Sequence, residues 1–130
     1  MRIKRLTNVK SYQIDKIIKR EFPHMRDKEV KFHIKKGVSH YAHNENELVA
    51  FSLALNYEKH SSLTLFYISP KYRHSKKAFF FFSNVTTKLR KPIYVRSDDV
   101  SKYRSITRIY KDDIYQIDLS KKEQSSKRYL

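Results

Sequence analysis

The chain has 130 residues, the size of one ordinary domain, and 39% of them are hydrophobic, enough apolar mass for a real core. Lysine and arginine number 29 against 13 aspartates and glutamates, a formal net charge of +16, which suits polyanionic partners: nucleic acid, acidic proteins or phosphorylated cofactors. The lack of cysteine excludes disulfides and thiolate metal sites. No apolar run approaches a membrane span, and MRIKRLTNVK lacks a signal peptide's apolar stretch, so a cytoplasmic protein without membrane contact is expected.

In chain order, RIKRLT (2–7) alternates weakly and predicts a first strand. SYQIDKIIKREFP places Ile14, Ile17, Ile18 and Phe22 at helical spacing, with Ser11 as the expected N-cap and Pro23 as the stop. In HMRDKEVKFHIKKG the residues Val30, Phe32 and Ile34 alternate, which predicts a strand at its end. HYAHNENELVAFSLALNYE reads as a hairpin turning at 44–46. Val49, Phe51, Leu53 and Leu55 fall on one face of its second strand, and Ala50, Ser52 and Ala54 on the other. The run 63–68 suits a central strand buried on both faces and ended by Pro70.

The stretch YRHSKKAFFFF (72–82) then sets four basic side chains before four phenylalanines. Ala78, Phe79, Phe82, Val85, Thr86 and Leu89 define one face of a helix, so Phe79 and Phe82 are expected to be buried. PIYVRS predicts a strand. DDVSKYRSITRIY predicts a helix capped by Asp98 or Asp99, with Val100, Tyr103, Ile106, Thr107 and Tyr110 on one face. DIYQIDL predicts a last strand. The expected organisation is a single mixed α/β (α+β) domain over 1–119, with a mostly antiparallel central sheet flanked by helices, followed by a basic polar tail over 120–130.

This element order, together with ISPKYR and the turn after it, resembles the GCN5-related N-acetyltransferase (GNAT) family over nearly the whole chain. In that family a helix starts where a central strand ends, and its first amides bind the pyrophosphate of acetyl-coenzyme A, through Arg or Gln, two residues, Gly, one residue, then Gly or Ala. The corresponding residues are Arg73, His74, Ser75, Lys76, Lys77 and Ala78, and Ile68 at the strand end belongs to the same expected cofactor site. Lys76 replaces the middle glycine, so it either bonds a phosphate or blocks the site. Gly37 is the only glycine of the chain, which excludes the glycine-rich phosphate loops of Walker and Rossmann type.

The resemblance implies transfer of an acetyl group from acetyl-coenzyme A to an amine on a small molecule or protein. Tyr110 matches by position the tyrosine that protonates the leaving thiolate. The family's base is often a strand glutamate, which LTLFYIS lacks. Glu58 is taken as the base, with Glu47 and the histidines His33, His40, His43, His60 and His74 as alternatives. His40 and His43 have no third ligand at a recognisable spacing, so no metal is expected. The lysines and histidines near the first helix and the hairpin suggest an acidic or phosphorylated acceptor. The competing reading is a catalytically inactive protein of the same fold, binding nucleic acid or a protein partner. On composition alone the chain also looks like a phage accessory protein acting in a host cytoplasm.

Overall fold

A computed structural model describes residues 1–96, 107–111 and 114–117. The strands are β1 (Arg2–Arg5), β2 (His40–Asn44), β3 (Glu47–Asn56), β4 (Ser61–Ile68), β5 (Ile93–Arg96), β6 (Thr107–Lys111) and β7 (Ile114–Ile117), and the helices are α1 (Ile14–Glu21), α2 (Asp27–Lys36) and α3 (Lys76–Thr87). The described strands form one sheet in the order β1-β2-β3-β4-β5-β7-β6. Every neighbouring pair is antiparallel except β4 and β5, which run parallel. The expected mixed, mostly antiparallel sheet with helices is thus the observed architecture. The tail 120–130 lies outside the described residues, and no helix among them is long and apolar enough to cross a membrane.

Helices cover both faces of the sheet. On one face, Ala78, Phe81, Phe82, Val85 and Leu89 of the α3 segment pack on Ala50, Ala54, Leu63, Phe66 and Ile68. The Phe66 ring stacks on Phe81 at 5.7 Å and meets Phe82 edge-on at 5.4 Å. On the other face, Ile14 and Ile18 of α1 and Val30 of α2 pack on Phe51, Leu53, Leu65 and Tyr67.

Five expectations change. Val49 leaves the face of Phe51 and Leu53 and joins Ala50 on the α3 face, because the register against β2 steps from Ala42↔Ala50 to His43↔Leu48 and leaves it as an extra residue. The segment over Val30, Phe32 and Ile34 is the helix α2, not a strand. Asp27 and Glu29 in its first turn and Lys35 and Lys36 in its last complement the helix dipole, and Val30 and His33, three residues apart, are the buried positions. Ser11 opens a short 3-10 turn instead of capping α1; the residue before α1 is Gln13, which has left-handed backbone and no side-chain cap. The α3 face is rotated by part of a turn from the expected one, so Phe81 and Phe82 are fully buried, Phe79 is only partly buried, and Phe80 is 60% exposed. The expected helix over DDVSKYRSITRIY ends in strand, because Thr107 to Lys111 is β6; the β-branched and aromatic residues there suit pairing with β7. The rest of that segment, with Asp98, Asp99, Val100, Tyr103 and Ile106, lies outside the described residues.

Gly37 is required by close approach. A Cβ there would stand 2.2 Å from the Ala54 carbonyl oxygen and 2.4 Å from that of His33. This lets the chain leave α2 against β3, where the Val38 N–H donates to Ala54 at 2.9 Å.

Candidate active site at the β4–β5 cleft

The centre of the fold is an opening in the sheet. β4 and β5 pair only at Ser61↔Ile93 and Ser62↔Tyr94, although β4 runs on to Ile68. Opposite β3 the register steps from Leu53↔Leu65 to Ala54↔Leu63, which leaves Thr64 as an extra, bulged residue. A bulge bends and twists its strand, and here it falls where β5 parts from β4. Beyond it, from Leu65 to Ile68, about 13 Å of β4 edge at roughly 3.3 Å per residue has no strand partner on the β5 side among the described residues.

At the far end of that edge stands the cationic turn. A 3-10 turn, Pro70–Tyr72, leads to Arg73, whose guanidinium folds back so that Nε donates to the Ile68 carbonyl at 3.0 Å and its carbon lies 5.8 Å over the Tyr67 ring. Sequence reasoning placed Ile68 and Arg73 in one site, and the structure brings them into contact. His74 takes left-handed backbone, φ 63°, a conformation in which histidine is enriched among non-glycine residues. Ser75 caps α3: its hydroxyl accepts the Ala78 N–H at 3.1 Å and donates to the Tyr72 carbonyl. Lys76 and Lys77 are the first two residues of α3, and both are exposed. Lys76 is not among the positive-φ residues, so its backbone does not need glycine. What it adds to the site is bulk and charge.

The amides at this helix start are not all available. Ser75 N–H donates to Tyr72, Ala78 N–H to the Ser75 hydroxyl, and Phe79 N–H to the Ser75 carbonyl. Among the described residues nothing accepts from the N–H groups of His74, Lys76 and Lys77. The first turn of α3 carries no acidic residue. Each lysine at this positive end of the dipole is disfavoured by about 0.3–1 kcal/mol, which a bound anion would reverse.

On the α2 face, beside the bulge, is a cavity of about 440 Å³ lined by Lys28, Glu29, Phe32, His33, Leu55, Tyr57, Ser62 and Thr64. Its volume falls in the range of small-molecule sites. His33 is 5% exposed. Its Nδ1 stands 2.7 Å from the Glu29 carbonyl and its Nε2 2.7 Å from Thr64 Oγ1. A carbonyl only accepts, so Nδ1 carries the proton. In the neutral ring Nε2 then accepts from the Thr64 hydroxyl.

The other candidates lie elsewhere. Glu58 sits exposed in the β3–β4 loop, at the opposite end of β4 from the turn, and its carbonyl accepts from Arg90 at 3.2 Å; it does not line the cavity. Glu47 is engaged by Lys71 at 2.8 Å, which raises the lysine's pKa. Tyr110 is on β6 as the extra residue between Ile109↔Tyr115 and Lys111↔Ile114. The strand β7 separates it from β5, so its backbone is roughly 10 Å from the β5 edge at about 4.8 Å per strand. His40 and His43 do not come together: His40 faces Lys88 at 3.5 Å, while His43 stacks on Tyr12 at 5.4 Å. His60 stacks on Tyr57 at 4.7 Å. No group of three metal-ligating side chains occurs among the described residues.

Sequence reasoning missed the pairing of His33 with Thr64. The dipole-matched charges of DKEVKFHIKK and the following Gly37 signalled a helix, and a helix would have set His33 on the face of Val30. The bulge had no such signal, because the unbroken apolar run after Thr64 shows no alternation to interrupt.

No family model matches the chain, and no curated protein matches it in sequence. Among solved structures, the chain is similar to a Bacteroides thetaiotaomicron protein assigned to the GNAT family of acetyltransferases, with a TM-score of 0.61 at 11% identity, covering 90% of this chain and 85% of that one. An acyl-CoA N-acyltransferase from Pseudomonas aeruginosa aligns at a TM-score of 0.48 and 18% identity, over 84% of this chain and 83% of that one. Read together with the cleft between the parallel strands β4 and β5, the first of these likenesses establishes the architecture: the chain has the fold of the GNAT acetyltransferases.

Proposed function

We propose that the protein transfers an acetyl group from acetyl-coenzyme A to an amine. The observation that carries this reading is the opening of β5 away from β4, with the cationic start of α3 at its mouth. The pyrophosphate would sit on the free amides of His74, Lys76 and Lys77, with Arg73, Lys76 and Lys77 supplying charge-assisted contacts. The amide-bearing arm of the coenzyme would run along the unpaired edge of β4, as an added strand does. That places the thioester toward Thr64, roughly 13 Å from Ile68 at about 3.3 Å per residue.

In this arrangement the chain holds the donor by backbone and charge. It offers β4 amides to the carbonyl oxygen that becomes negative when an amine attacks. Bound coenzyme supplies the activated acetyl group. The test is release of free thiol from acetyl-coenzyme A in the presence of a panel of primary amines. Release that depends on the amine is expected; no release with any amine contradicts the reading.

A further inference from the structure

The cavity beside the bulge carries features that the coenzyme does not use. His33 is held from behind by the Glu29 carbonyl and faces the Thr64 hydroxyl, each at 2.7 Å. Both residues line the cavity, but the histidine is buried and its Nε2 is occupied by the half-buried Thr64, so the hydroxyl stands between that nitrogen and a ligand. A hydroxyl whose proton points at an unprotonated ring nitrogen keeps two oxygen lone pairs; the Ser62 hydroxyl at 3.4 Å can take one, and the other is left for a donor. A donor-rich ligand, such as an ammonium group, complements it.

The walls define the rest of the ligand. Phe32 is 53% and Tyr57 45% exposed, and both line this cavity with Leu55. Tyr57 is held in place by its stack on His60. Phe32 meets the His33 ring edge-on at 6.4 Å. Both aromatic rings keep about half their surface exposed at the cavity, where the half-buried Glu29 adds an acid next to the exposed Lys28. A ligand with a flat apolar body and a cationic end placed between Glu29 and Thr64 matches the aromatic walls, the acid and the hydroxyl, with the flexible Lys28 side chain left to solvent.

Resting on the acetyl-transfer reading, we propose that this cavity is the acceptor site, that it takes a primary amine on an aromatic body, and that His33 draws off the amine's proton through the Thr64 hydroxyl. The ammonium gives one proton to Thr64 Oγ1 while that hydroxyl passes its own to His33 Nε2, so the histidine becomes an imidazolium and the amine becomes neutral. The amine nitrogen then bonds to the thioester carbon. The carbon–sulfur bond breaks, and the second nitrogen proton ends on the departing sulfur. The imidazolium returns its proton to solvent, and the sum is amide, free thiol and one proton. His33 acts through Thr64 as a positioned proton acceptor, and Thr64 is the group that touches substrate.

The experiment follows 2-phenylethylamine by nuclear magnetic resonance, with and without acetyl-coenzyme A, alongside transfer rates over pH. The amine should move the signals of Phe32, His33 and Thr64 without coenzyme, and Phe32→Ala should weaken it about tenfold. His33→Gln should lower the transfer rate about a hundredfold with amine affinity little changed, and Thr64→Val should lower the rate as much while also weakening the amine. Thr64→Ser should restore the rate, and His33→Gln should erase the acid limb of the pH profile. If the amine leaves Phe32 and His33 unmoved while coenzyme moves Lys76 to Ala78, the pocket assignment is overturned and the acetyl-transfer reading stands. If coenzyme leaves Lys76 to Ala78 unmoved, that reading fails and the relay falls with it. Wild-type transfer by Thr64→Val overturns the relay by itself.

Discussion

Arg73 donates from Nε to the carbonyl of Ile68 at 3.0 Å, so the guanidinium that opens the cationic turn also closes the end of β4. One side chain thereby joins the last residue of the cleft's edge to the helix start. Arg73→Lys keeps the charge and loses this geometry, because an ammonium is a point charge while the guanidinium is a planar fork. Arg73→Lys is expected to weaken acetyl-coenzyme A nearly as much as Arg73→Ala, by about 1–3 kcal/mol for a hydrogen bond to a charged group. Calorimetric titration of both variants measures this.

The four phenylalanines divide by position. Phe81 and Phe82 are fully buried against Phe66, and Phe80 is 60% exposed. Phe82→Ala and Phe81→Ala should each cost about 3–5 kcal/mol, while Phe80→Ser should stay within about 0.5 kcal/mol. Urea unfolding curves separate the two outcomes.

Gly37→Ala tests the close approach between α2 and β3. Its Cβ would meet two backbone oxygens, not yielding side chains. The cost should be about 1–3 kcal/mol or more, read from the urea midpoint. The His33 imidazole signals should shift as well, since one of those oxygens belongs to His33.

His40 sets a pH dependence of stability. Burial first, then the charges of Lys88 and Arg5, lower its pKa from 6.5 to about 4. Between those values the unfolded chain takes up a proton that the folded chain refuses. Stability from this group is therefore full above 6.5, falls as pH falls toward about 4, and levels off below. His40→Gln should flatten that part of the curve, and the difference between variant and wild-type melting temperatures across this window checks it.

Where period and punctuation agreed, the sequence was readable: Pro23 after α1, the turn at 44–46, and Pro70 after β4 each bound an element where expected. Three alternating apolar residues in a helix of ten were not enough to choose between strand and helix, and the dipole-matched charges around them were the better guide. Ile68, Arg73 and the helix start could be grouped from the sequence because a turn is local, and Arg73 does contact Ile68. His33 and Thr64 were not paired, because they are 31 residues apart and meet only through the packing of α2 on a bulged strand. Glu58 was chosen for its nearness to a strand end; it lies in the β3–β4 loop, and it does not line the cavity beside the bulge.

The account rests on coenzyme binding at the α3 start. Isothermal titration of the wild-type protein with acetyl-coenzyme A tests it most directly. Saturable heat that weakens with added salt and with Lys77→Ala, while the melting temperature of that variant stays unchanged, is the predicted result. No heat and no thermal shift at millimolar coenzyme would contradict it, and would mean that Lys76 closes the site.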